Sequence, residues 1–298
     1  MASQAFNLAP QGVNNSASEP MLVAITRCLI KSWHLIPQAL AGCEIEDIVQ
    51  CDPKILQASL VNDSSSDSAP PPKDFDHNYA IGYKDLPGRK SYYVTENKAR
   101  LGKFYKMSKE EFRPHHLAMM HRGTDLWAAF LFHRSIRILI DQYDPGAKLH
   151  LRTVIPHAKA QYTVDGTFAN HHDILILTTS DKTEWAIDAT YAQYGFHERF
   201  SVIEWGKYLE ECVVKADDHL AINFSDDTVE YWSQSVAQQQ NDKIYRTIAD
   251  QIWSGVNLAI LDKKLTHFNA VRVEKHFEHE FTESIHITKV QCGLYKEV

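Results

Sequence analysis

His172 and Asp188 are the pair whose residue types and spacing can do chemistry. His172 opens the run HDILILTTS, and Asp188 lies in the following run, TEWAIDAT, after a Ser-Asp-Lys turn. Two such apolar runs around a short polar turn predict a β-hairpin. A two-residue connection makes cross-strand partner numbers sum to an odd total and puts His172 and Asp188 on opposite faces. A three- or five-residue connection around 180–184 puts them together. On one face, the carboxylate would fix the imidazole tautomer and stabilise the imidazolium, leaving the other ring nitrogen to accept or donate a proton. His171 is the competing partner for Asp188, and Gln193 is a candidate donor to a substrate oxygen. Trp127, Trp185 and Tyr194 are candidates to line an apolar ligand pocket near the pair.

The elements that must position these residues can be read from periodicity. Residues 19–42 predict a helix with Glu19 and Pro20 at its start, a kink or end at Pro37 and a stop at Gly42. Residues 44–60 predict a second short helix, and 91–95 a strand. Residues 114–143 predict a strong, largely buried helix in which Thr124 caps and Asp125 occupies the first turn, stopped by Asp144-Pro145-Gly146. Residues 149–155, 160–169, 171–180 and 183–190 predict strands. Ser201 and Glu204 form a capping-box signature for a helix over 201–214. Residues 226–264 predict one or two helices and 281–295 a final strand. Residues 1–18 read as a loose arm and 62–76, NDSSSDSAPPPKDFD, as a stiff linker or loop. The organisation predicted is an N-terminal arm and helices over 1–61, the linker over 62–76, and a main domain over 77–298.

The segment HDILILTTSDKTEWAIDAT, residues 172–190, resembles the His-strand, turn, Asp-strand segment of the transglutaminase-like (papain-like) superfamily, and DATYAQYGF resembles its fungal-type members. The resemblance covers roughly residues 115–200. It implies an α+β fold, a helix packed on an antiparallel sheet with further helices at both ends, and a catalytic cysteine at the N-terminus of the helix near residues 124–127. The chain departs from that pattern. No cysteine lies between Cys51 and Cys212, and the position holds Thr124, Asp125 and Leu126. Thr124 is a weak substitute nucleophile, so thiol acyl-transfer chemistry is not expected there.

Composition narrows the function classes. The 298 residues are 44% hydrophobic and 23% charged, as expected for a globular protein. A net charge of −7 argues against nucleic-acid binding. Five cysteines are too few for a disulfide scaffold and suit reduced thiols. No secretory signal, lipidation signal or membrane-spanning run is read, so a cytoplasmic protein without a membrane partner is expected. The 16 histidines include three clusters: His115, His116 and His121; His171 and His172; and His276 and His279. None has convincing metal-ligand spacing. No glycine-rich phosphate loop is present, and no cofactor is expected. The leading expectation is a cyclase or isomerase, pericyclic reactions included, that holds a small apolar substrate at a His–Asp dyad without a covalent thiol. The alternatives are an acyl-transfer or hydrolytic enzyme using Thr124, Cys28, Cys43 or Cys51, and a pseudoenzyme that binds a partner.

Overall fold

Strand β6 (His172–Thr178) explains most of the architecture. Its centre, Ile174 to Leu177, is buried on both faces, which is why the sequence there is continuously apolar rather than alternating. Leu175 and Leu177 point into one core, and Ile174 and Ile176 into a second. In this computed structural model, residues 19–51, 89–97, 104–106, 115–163, 171–214, 243–261 and 269–292 are described. The arm over 1–18 and the linker over 62–76 lie outside them.

The fold is α+β. One sheet is antiparallel in the order β4-β6-β7-β8, with β4 Lys148–Val154, β7 Glu184–Ile187 and β8 Val202–Glu204. The other is mixed, in the order β3-β1-β2-β5, with β1 Ala41–Cys51, β2 Lys90–Asn97, β3 Phe104–Lys106 and β5 Ala160–Thr163. The helices are α1 (Met21–Lys31), α2 (Leu35–Leu40), α3 (His116–His121), α4 (Asp125–Tyr143), α5 (Trp205–Cys212), α6 (Lys243–Leu261) and α7 (Ala270–Gln291). The first core joins Leu22, Ile25, Leu29 and Trp33 to Phe132 and Ile136 of α4, Ile252 of α6, and Phe277 and Phe281 of α7. The N-terminal helix is thus packed into the same core as the helices near the C-terminal end. Burying a side chain of this size is worth about 1.5–3 kcal/mol.

Several sequence expectations are corrected. Pro37 does not end a helix. It falls in the first turn of α2, where its missing N–H has no intrahelical partner to lose, and the break comes earlier, at the 3-10 turn Ser32–His34. Gly42 lies inside β1 rather than at a helix end, and where a helix is expected over 44–60 that strand occupies 44–51, residues 52–60 lying outside the described residues. Ile45, Ile48 and Val49 are β-branched, and pairing with β2 and β3 overrides the local helical reading. The helix expected from Thr124 is α4, and a short helix that was not expected, α3, precedes it across Gly123, whose φ is +63°.

Of the final strand expected over 281–295, residues 281–291 are the C-terminal part of α7, and 293–295 lie outside the described residues. The β-branched residues of α7 suggest a strand, but Val273, Phe277, Phe281, Ser284, Ile285 and Thr288 are its buried ones, and that spacing is helical. The Asn269 side chain accepts a hydrogen bond from Arg272 N and fixes where this helix starts. The capping box at Ser201 does not form. Ser201 ends a 3-10 turn, β8 intervenes, and α5 begins after Glu204, which makes no side-chain cap bond.

Gly195 is required where it stands. Its φ is +72°, and a Cβ there would lie 3.1 Å from both the amide nitrogen and the Cβ of Ala160. We expect Gly195→Ala to cost about 1–3 kcal/mol in chemical denaturation, because the left-handed backbone and the close approach are both penalised. A change within error would show that the two segments separate freely.

Candidate active site

The register of the hairpin decides the central contact. Leu175 pairs with Ile187 and Thr178 with Glu184, so partner numbers sum to an even total across the five-residue connection 179–183. Residues 172 and 188 therefore share a face, as the longer connection requires. Lys182, at φ +72°, and the Asp181 carboxylate, which accepts from Thr179 Oγ1 and Thr183 N, shape this turn.

His172 is wholly buried, and its Nε2 lies 2.8 Å from Asp188 Oδ2. The N–H is not aligned on that oxygen, so the contact is an ion pair rather than a directional hydrogen bond. Asp188 Oδ2 also accepts from the Tyr208 hydroxyl at 2.8 Å, and Oδ1 from Thr190 N at 3.0 Å. It is thus His172, not His171, that meets Asp188. The carbonyl of His171 accepts from the Tyr194 hydroxyl at 2.7 Å. Tyr194 packs its ring against the His172 imidazole, centroids 4.8 Å apart and near perpendicular.

Two groups meet the other ring nitrogen. Asp125 Oδ2, on the first residue of α4, lies 3.4 Å from His172 Nδ1, and Gln193 Nε2 lies 3.1 Å from it. Gln193 is fixed by its other contacts: Oε1 accepts from Gly123 N at 3.0 Å, and Nε2 donates to Thr190 Oγ1 at 3.1 Å. The two neighbours make opposite demands. Asp125 needs a proton on Nδ1, whereas Gln193 would donate to a bare Nδ1. Charge favours the protonated form. Burial alone would lower the His172 pKa, but the charge of the Asp188 carboxylate, with the hydrogen bond to Asp125 and its charge, pushes it up to about 10. A neutral ring would leave two carboxylates without a countercharge. A bare Nδ1 would accept from Gln193 and a protonated Nδ1 donates to Asp125, so either form of the ring has a partner there.

Asp125 has a neighbour of the same charge. Its Oδ2 also accepts from Asp173 N at 3.2 Å, and the Asp173 carboxylate accepts from the Thr153 hydroxyl. Burial opposes ionisation of Asp125, but His172 and the N–H groups of Asp173 and Leu126 hold its pKa below the usual carboxylate range. Asp173 is pushed up instead, by burial and by the charge of Asp125. Two neighbouring carboxyls are thus driven apart in acidity, the arrangement that separates an acid from a base. Both line a void of about 10 Å³, room for a single water.

The dyad itself is sealed. Asp188 and Gln193 are buried beside His172, while the Asp125 side chain keeps 17% of its surface exposed. Access to the group therefore runs through Asp125. Trp127 and Trp185, expected to line a pocket, pack in the first core, and Tyr194 fills space in the second. Core aromatics occupy the volume beside the dyad that a ligand would need. Thr124 is buried, and its hydroxyl donates to His121 O at 2.8 Å rather than capping the helix. Cys28 and Cys212 are buried thiols. Burial pushes Cys28 up to about 11 and raises Cys212 further, the opposite of an activated nucleophile. Cys43 and Cys51 lie on β1.

Sequence reasoning found His172, Asp188, Gln193 and Asp125, but missed Tyr208, Thr190 and Asp173. Asp173 follows His172 directly, and strand alternation sends its side chain to the other face, so only the helix end bearing Asp125 reveals its role. Tyr208 had no local signal beyond its place on an amphipathic helix.

A second, larger cavity of about 270 Å³ adjoins this region and shares Ile30 and Ala189 with the small void. Among the described residues, no three His, Cys, Asp or Glu side chains are grouped to hold a metal ion, and no helix is long and apolar enough to cross a membrane. Compared with known protein families, curated proteins and solved structures, the chain matches none.

Proposed function

We propose that the protein is a small-molecule isomerase or cyclase that works by proton transfer without a thiol. The observation that carries this reading is the carboxyl pair on one void: Asp125, held ionised by the buried His172, and Asp173, pushed toward the protonated form. Asp125 takes a proton from the substrate, Asp173 gives one at a second position, and the proton left on Asp125 passes to Asp173 across the void both line, which restores the starting state. The reaction is redox-neutral and conserves mass. His172 and Asp188 hold the charge of Asp125 through the cycle, and Gln193 stands at Nδ1 as the partner of its bare form. The larger cavity is the chamber for the substrate body. On the resemblance to the transglutaminase-like superfamily, Asp125 stands at the helix N-terminus where that superfamily has its cysteine. The helix dipole that would favour a thiolate favours a carboxylate in the same way.

The test is metabolite profiling of the source organism carrying Asp125→Asn at its own locus, with the protein level checked. We expect one product to fall about 10²–10⁴-fold and a precursor of equal mass to accumulate. Asp173→Asn should give the same pair of changes. An unchanged profile with normal protein level sinks the proposal. The sealed dyad favours a second reading, in which the ion-pair cluster only holds the fold of a binding protein, and that same unchanged profile is what it predicts.

A further inference from the structure

His121 presents a buried polar group that no part of the described protein satisfies. It is 2% exposed, neither ring nitrogen has a hydrogen-bond partner, and it lines the 270 Å³ cavity. Burial, with the charges of His34 and His172, pushes its pKa down to about 3, so the ring is neutral and offers one donor and one acceptor. Trp33 lines the same cavity, is 1% exposed, and its Nε1–H also lacks a partner. Leaving such groups unmade is costly, and a ligand that satisfies them recovers that cost. Tyr191 meets His121 edge-on at 5.7 Å and adds an aromatic wall. The rim carries Glu198, Glu274 and Glu278 against Lys31, which pairs with Glu198 and Glu274. The excess is negative.

We infer that this cavity takes a small aromatic molecule with a hydroxyl at one end and an ammonium at the other. The hydroxyl donates to the bare nitrogen of His121 and accepts from Trp33 Nε1–H, the aromatic body packs among Trp33, Ile30 and Tyr191, and the ammonium faces the glutamate rim. The volume suits a ligand below drug size. The inference rests on the reading of this cavity as the substrate chamber and names the class of substrate it would admit.

Three probes of one shape test it: tyramine, which is cationic; tyrosol, which is neutral; and 4-hydroxyphenylacetate, which is anionic. Each is titrated by calorimetry into the full-length protein. Binding should fall in that order. His121→Phe and Trp33→Phe should each weaken tyramine about ten-fold, the worth of one hydrogen bond. His121→Phe should also raise the melting temperature, because it removes unpaired buried nitrogens. The exposed double variant Glu198→Gln/Glu278→Gln leaves the core untouched and should erase the preference for tyramine over tyrosol. Failure of all three probes to bind, equal binding of the anion, or His121→Phe binding that matches the native protein overturns the inference. If Asp125→Asn removes a product while probe binding ignores His121, this inference fails and the catalytic reading stands. If probes bind as expected while Asp125→Asn changes nothing, the cavity is the ligand site of a protein without that chemistry.

Discussion

His172→Ala is expected to lower the free energy of unfolding by about 3–5 kcal/mol. The imidazolium is the positive group placed between two carboxylates, Asp125 and Asp188, and removing it leaves both desolvated beside each other's field. The Tyr208 and Thr190 hydrogen bonds to Asp188 remain, but they do not neutralise charge. Against a total stability of roughly 5–15 kcal/mol, such a loss is a large share. The melting temperature should drop on the order of 10 °C. A double variant, His172→Ala with Asp188→Asn, separates the ion pair from simple packing. Once the stranded charge is gone, the double change should cost less than the sum of the two single changes, with a coupling of about 1–3 kcal/mol. Urea denaturation of the four proteins measures this. Additive losses, or a His172→Ala cost below about 1 kcal/mol, would show that the ring is only a filler.

The second large effect is loss of stability in alkali. An ordinary histidine titrates near 6.5, and His172 in the fold is pushed up to about 10. A raised folded pKa means that the folded state holds a proton the unfolded chain has released. The stabilisation is complete below 6.5 and disappears as pH rises through the folded value. Within that window each pH unit removes about 1.4 kcal/mol. Isothermal denaturation at several pH values between 7 and 10 should therefore show a steady decline. His172→Ala should flatten it, since its contribution is already gone. A native protein as stable at pH 9.5 as at pH 7 would mean that His172 is neutral in the fold, with Nδ1 accepting from Gln193. The acid limb is less diagnostic, because Asp125 and Asp173 shift in opposite directions and their contributions oppose.

The sequence by itself determined the parts that depend on local pattern. The α+β class was what the resemblance implied, and the apolar hairpin and the buried helix beginning at Asp125 follow from periodicity and turn residues. So does the demand that His172 and Asp188 meet only across an odd-length connection, because strand side chains alternate with a period of two. The tertiary structure decided what pattern leaves open. The β1 strand replaced a helix because β2 and β3 supply cross-strand partners that no local window contains. The end of α7 is helical because its buried residues face α1 and α6, and packing outweighs the strand preference of β-branched side chains. The site follows the same division. Residue types named the dyad, but alternation alone sends Asp173 away from it. Only the placement of a helix N-terminus against β6 puts Asp125 beside both His172 and Asp173, 47 and 48 residues along the chain. That contact is set by burial of apolar surface on α4 and β6. A hydrophobic interface between distant segments thereby chose which carboxylate the buried charge would serve.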